Sequence, residues 1–376
     1  MSKKKGRASA IVRLVIWSVV ALILTATLCL FLIAPSINNW MNIGIPGVFG
    51  FNGYTYPDAD TYSVGGATLT PESEDYETVK NIDIGWLAGS VKVVPSEGDE
   101  IKIYEEDVSG IEESHLLRWR LKNGTLSVKY AESGLMWYDG KDEVKHLTIS
   151  LPEGMLADIG EFKVDLVSAS LCVPTLVCRE VSIDTVSGGV EFEYLVADEF
   201  ESDSTSGTVK VSGEVEKIDI DTVSGKATLN GEFLSVDMDS TSAGIEIVYK
   251  NSAPRSLDVD TVSGDVNVFL PETVQGFEAE LDSVSGDFES DFSATVKDGK
   301  YIFGDRSFKM SFDSVSGDVT VSSVAIEEAV TEPATESPTE QLTETETEAP
   351  TEPTEETVAT EETTEAVTTE SESTAA

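Results

Sequence analysis

Aspartate is the residue whose spacing in this chain suggests chemistry. It opens a recurring motif, as in "DTVSG", "DSTSG" and "DSVSG", at Asp165, Asp184, Asp203, Asp221, Asp239, Asp260, Asp282 and Asp313, with successive spacings of 19, 19, 18, 18, 21, 22 and 31 residues. If the repeats stack, Asp184, Asp203, Asp221, Asp239 and Asp260 form a ladder of like charges, which needs hydrogen bonds or a cation between its rungs. Calcium accepts carboxylate, hydroxyl and carbonyl oxygens in flexible geometry, so these five are candidate calcium ligands. The competing role is capping of turn amides, which short polar side chains perform in tight turns. Capping is favoured, because calcium-binding nonapeptide repeats carry a denser Gly-Gly-x-Gly-x-Asp pattern.

Other chemistry is sparsely supplied. His115 and His146 are the only histidines, and no HExxH, GxSxG or P-loop pattern occurs, so no catalytic residue and no cofactor are assigned. A carbohydrate-active β-helix enzyme is the alternative reading. It would need a carboxylate pair about 5–9.5 Å apart across a cleft, and among this many acids such pairs arise by chance. Trp119, Trp137 and Tyr138 lie where the repeat breaks down and are candidate ligand contacts. Their competing role is to cover an open end of the fold. Cys172 and Cys178 flank Pro174 on positions read as outward, and are a candidate disulfide.

These residues must be positioned by strands. Segments such as "SVKVV", "EIKIYEE" and "HLTISLP" alternate apolar and polar residues, and no helical period is sustained beyond residue 34. In "IDTVSGGV", Ile183 and Val190 are both apolar yet seven residues apart, so one uninterrupted pleat would point them to opposite faces. A corner must intervene. Ser187-Gly188 and its equivalents are the expected corners, with glycines such as Gly225 at positive φ. The fold class is therefore all-β: a β-solenoid whose coils stack in register about 4.8 Å apart. A β-sandwich of hairpins is the structural alternative, and it predicts less regular spacing.

The ends differ from this middle. Residues 1–13 are basic, and residues 14–34, "LVIWSVVALILTATLCLFLIA", are uncharged and long enough for a membrane helix of about 20 residues. The expectation is a single-pass membrane protein, N-terminus cytoplasmic and bulk extracellular, with a cleaved signal peptide as the competing reading. Residues 35–75 read as a linker, 76–323 as the solenoid and 324–376 as a disordered Glu/Thr/Pro-rich tail without a sortase-type signal. The formal net charge of −44 disfavours nucleic acid, leaving an unknown protein or cell-wall glycan as the expected partner.

The "D-[ST]-[VT]-SG-x-[VI]" repeats, the strand endings "ISLPEG" and "VNVFLPET", and the N-terminal apolar run resemble those of the bacterial candidate-adhesin β-strand-repeat proteins, a family of unknown function. The resemblance covers about residues 80–323. It implies a single-stranded β-helix on the outer face of a bacterial membrane, with an adhesin-like role or one in an envelope-stress response. It implies no catalytic residue.

Overall fold

The structure, a computed structural model, describes residues 49–50, 53–106, 110–135 and 144–325. The chain separates into two units, Met1–Glu327 and Glu328–Ala376, of which the second lies wholly outside the described residues.

Strands arise where apolar residues alternate with polar ones. In Val209–Thr222, Val209, Val211 and Val215 are buried while Lys210, Glu214 and Glu216 are exposed, as a two-residue pleat requires. Strand Leu176–Thr185 pairs in parallel with Val190–Ser204, that strand with Val209–Thr222, and that in turn with Lys226–Ser240. Each partner lies one repeat further along the chain, so Asp184 stacks on Asp203, Asp203 on Asp221 and Asp221 on Asp239. This is a solenoid-like all-β fold, and its parallel middle excludes a sandwich of hairpins.

The corners answer the parity problem. Ile183 and Val190 are both buried, at 1% and 2% exposure, with the turn at 186–189 between them. Ala197 and Phe200 are likewise both buried at odd separation, and the ladder skips Arg179, Asp198 and Glu216 there. A third break shifts the register between Phe192 and Leu195. Inside, Phe162, Phe192 and Phe200 meet edge to face at 5.9 and 5.8 Å. Each such contact adds about 0.5–1.5 kcal/mol to the burial itself.

Parallel coils end in bare strand edges, which are templates for aggregation unless covered. At one end, the first coil, Asn81–Ser96, carries Thr125–Lys129 and Lys145–Pro152 on its free edge. Arg118–Lys122 and Ile101–Glu106 cover those in antiparallel fashion. At the other end the stacking departs from chain order. The coil of Ser256–Thr261 and Val266–Pro271 pairs with Phe308–Ser314 and Val319–Val324, not with the residues that follow it. The skipped residues, Gly276–Ser283 and Phe288–Ser290, lie on the far side of that inserted coil. Lys300–Gly304 then runs antiparallel along Gly276–Ser283, and Thr295–Lys297 runs along Lys300–Gly304. The resulting order of aspartates is Asp260, Asp313, Asp282.

Chain order is broken at the last two coils, because the hairpin after Asp282 closes the end and the later coil fits beneath it. One sequence expectation needs correction: the single-pass membrane location is overturned. Among the described residues no helix is long and apolar enough to cross a membrane; the only α-helix there, Glu153–Leu156, has 4 residues. The apolar run 14–34 and the tail from 326 onward lie outside the described residues.

Candidate functional site

Each letter of the repeated motif has a separate task at the corner. At most corners the hydroxyl of the Thr or Ser after the aspartate accepts a hydrogen bond from the backbone amide three residues on; at Thr222 it donates instead to the Ser224 carbonyl at 3.2 Å. Thr185 accepts from Gly188 at 3.1 Å, Ser204 from Gly207 at 2.9 Å, Thr261 from Gly264 at 3.0 Å and Ser314 from Gly317 at 2.7 Å. The Ser before the glycine donates to a carbonyl of the adjacent coil, as Ser187 to Val167 and Ser206 to Val186, both at 3.2 Å. The glycine is demanded mainly by close approach. A Cβ at Gly264 would lie 1.7 Å from the Ala243 carbonyl oxygen, although Gly264 has no positive φ. Gly225 combines both demands, with φ 131° and a Cβ position 2.2 Å from the Gly207 oxygen.

The expected capping by aspartate is therefore corrected: the hydroxyl beside it does that work, because a pleat sends neighbouring side chains to opposite faces. The aspartates are left for the surface. Asp184, Asp203, Asp221, Asp239, Asp260, Asp313 and Asp282 form one continuous ladder along the outside, and Asp165, stacked on Asp184, is buried at its end. Beside it, two residues earlier in each strand, runs a second column of Glu201, Asp219, Asp237 and Asp258. Four consecutive coils thus carry two carboxylates each on one flat face.

Crowding raises the proton affinity of this face. Partial burial between coils, then the charges of Asp313, Asp239 and Asp258, push Asp260 up to about 7. Partial burial followed by the charges of Asp239 and Asp219 pushes Asp221 up to about 6. Asp165, more buried, is held at about 6 by desolvation, opposed by the Lys163 charge and reinforced by a hydrogen bond to Asp184. Glu201, Asp203, Asp237 and Asp239 are raised as well, each first by desolvation. Lys217 offsets part of the repulsion, lying 2.6 Å from Glu199 and 3.5 Å from Asp219. Among the described residues no group of three or more His, Cys, Asp or Glu side chains is arranged to hold a metal ion, so the calcium reading of Asp184, Asp203, Asp221, Asp239 and Asp260 gains no support.

The other candidates are dispersed. Trp119 is 7% exposed in the covering strand Arg118–Lys122, beside Ser63 and Val128, which makes it part of the end cap instead of an exposed anchor. Trp137 and Tyr138 lie outside the described residues. Cys172 and Cys178 are free thiols, and the outward placement of Cys178 is corrected: it is buried, stacked between Ile159 and Ala197, because the corner at Arg179 flips the parity counted back from Val181. Sequence reasoning missed a buried ion pair in the cap. Lys145 Nζ lies 2.5 Å from a Glu105 carboxylate oxygen, donates to the carbonyls of His115 and Tyr130, and sits 3.9 Å from the centre of the Tyr130 ring. Its signal was present, since Lys145 shares the inward parity of Leu147, Ile149 and Leu151.

The Toastrack DUF4097 family pattern matches residues 79–322. No curated protein matches the sequence. Among solved structures, similarity extends to a candidate adhesin from Bacteroides fragilis, with 15% identity over 70% of this chain and 97% of that one at a TM-score of 0.42. It extends also to a candidate lipid-binding protein from Parabacteroides distasonis, with 14% identity, coverage of 69% and 97% and a TM-score of 0.42. A candidate cell adhesion protein from Clostridium sporogenes has 12% identity, coverage of 70% and 100% and a TM-score of 0.23. The match spans the stacked coils and the corners built from their repeated motif: this chain belongs to the Toastrack DUF4097 family.

Proposed function

We propose that this chain is an adhesin-like interaction protein that binds through its rigid outer faces and does not catalyse a reaction. The observation that carries the reading is the pair of carboxylate columns, Glu201–Asp219–Asp237–Asp258 beside Asp203–Asp221–Asp239–Asp260, held in register by the coil spacing. A backbone ladder fixes those charges about 4.8 Å apart, so little ordering entropy remains to oppose binding of an extended partner. The partner that fits is a polypeptide segment or cell-wall glycan with cationic groups along its length, and nucleic acid is disfavoured by the same charge. A role in an envelope-stress response would use the same surface; it differs in that removing the protein would change stress-gene expression instead of attachment.

The test is binding of the immobilised full chain to polylysine and to soluble cell-wall glycan fragments, beside the variant Asp219→Asn/Asp237→Asn/Asp258→Asn. Binding that weakens with salt and falls about tenfold or more in the variant, a loss of ~1.4 kcal/mol, supports the reading. Equal binding by both proteins, or none to either probe, refutes it.

A further inference from the structure

The inserted coil, residues 308–324, occupies a slot whose two walls are joined to each other without it. One wall is the coil of Ser256–Thr261 and Val266–Pro271, the other is Gly276–Ser283 with Phe288–Ser290, and residues 272–275 connect them directly. The slot is thus a clamp of one continuous stretch of chain, and its filling is a separate piece. That filling makes the full set of corner contacts on both sides. Gly317 packs against the Gly264 carbonyl, Gly286 packs against the Gly317 carbonyl, and Phe308, Met310, Phe312, Val319 and Val321 are all buried.

The connection into the filling is short and strained. Gly304 has φ 51° and Arg306, with a side chain, has φ 63°. Residues 304–307 are exposed, and Gly304 stands opposite Gly276 on the outer edge of the strand whose inner edge holds Phe308 opposite Phe277. The link therefore descends two strand spacings, about 9.6 Å, in four residue steps through a left-handed kink.

We propose that the slot also takes residues 308–324 of a second copy of this chain, so that two copies exchange their inserted coils. Every contact of the filling with its walls is the same whichever copy supplies it, and only the 304–307 link changes, losing the strain at Arg306. Exchange of an identical element needs no new surface. It joins copies of an interaction protein, and it stands or falls independently of what the acidic face binds.

Asp258 and Ser311 are direct neighbours across the slot wall, one spacing of about 4.8 Å apart and within the Cα window of roughly 4.4–6.8 Å for a disulfide. In a full chain with the native cysteines replaced, one tagged copy carries Asp258→Cys and a differently tagged copy carries Ser311→Cys. The two are co-expressed and oxidised. Random pairing places half of the exchanged dimers in the combination that sets the two cysteines side by side, and the same two copies expressed apart and mixed only after folding give the background from collision of surface thiols, which the co-expressed product must exceed. A second variant deletes Asp305 and Arg306, leaving two residue steps of at most ~7.2 Å to span about 9.6 Å, so return of the coil into its own slot is blocked while Gly304 stays paired. The expected results are a covalent product carrying both tags and a dimer by light scattering for the shortened link. Absence of the two-tag product, while Asp258→Cys/Ser311→Cys in one chain closes internally, overturns the proposal even if the shortened chain fails to fold. So does a shortened chain that is folded and monomeric.

Discussion

The division of labour at the corner is tested most directly at Thr261 and its neighbour Asp260. Thr261→Val keeps the shape of the side chain and removes the oxygen that accepts the Gly264 amide at 3.0 Å. Thr261 is 2% exposed, so water does not replace that acceptor, and an unpaired buried amide costs about 1–3 kcal/mol. The added methyl returns at most about 0.8 kcal/mol, leaving a net loss of roughly 0.2–2 kcal/mol. Thr261→Ser keeps the oxygen and loses only a methyl, about 0.8 kcal/mol. Asp260→Asn removes a charge that the fold holds at a disadvantage, its carboxyl being raised to about 7, so at pH 8 it should leave stability unchanged or raise it. Urea unfolding at pH 8 ranks the variants, and for a unit of this size each kcal/mol moves the thermal midpoint by about 2–4 °C. If Thr261→Val matches the unsubstituted protein while Asp260→Asn loses 1 kcal/mol or more, the aspartate is the cap and the hydroxyl is not.

Acid should stabilise the fold. Asp165 and Asp221 at about 6 and Asp260 at about 7 stand above the ordinary value near 4, so the stabilisation present below about pH 4 is lost as pH rises through 6–7. A higher urea midpoint at pH 5 than at pH 8 is expected, and the reverse order refutes this account of the acidic face. Gly264→Ala should cost about 3 kcal/mol, at the upper end of overpacking, because its Cβ would lie 1.7 Å from the Ala243 oxygen. Gly244→Ala, where nothing lies within 4 Å, should stay within about 0.5 kcal/mol; equal effects at the two positions would rule out close approach as the cause. Cys172 should alkylate in the folded protein, whereas Cys178, buried and raised to about 12 chiefly by desolvation, should react only on unfolding, as mass spectrometry with and without urea would show. Lys145→Met strands the Glu105 carboxylate in the cap and should cost about 3–5 kcal/mol, with Glu105→Leu added to it recovering most of the loss in the same denaturation assay.

The stacked middle of the molecule was legible in the sequence because every coil repeats the same local instructions. Spacing of 18 to 22 residues between Asp184 and Asp282, inward parity on both sides of the corner, and a Gly or, at Ala243, an Ala at the same place in each turn leave parallel stacking as the arrangement that buries every apolar column. The carboxylate ladder follows from that stacking, as far as the coils remain in chain order. Which residue serves the corner amide was not legible: Asp and Thr both carry acceptors, and only the direction of each side chain separates them. Cys178 was misplaced for a related reason, since parity can be counted only between corners and the one at Arg179 bears no Gly or Pro. Lys145 followed the inward pattern, but a lysine at a core position makes sense only once Glu105, from a strand some forty residues earlier, is seen beside it. Most of all, sequence alone determined that 276–290 and 308–324 are both coils of the same kind, and the identity of their motifs is what made their order undecidable. Only the tertiary structure decided that the later coil lies inside, because the hairpin that covers the bare edge must be outermost, and the chain writes that hairpin before the coil it encloses.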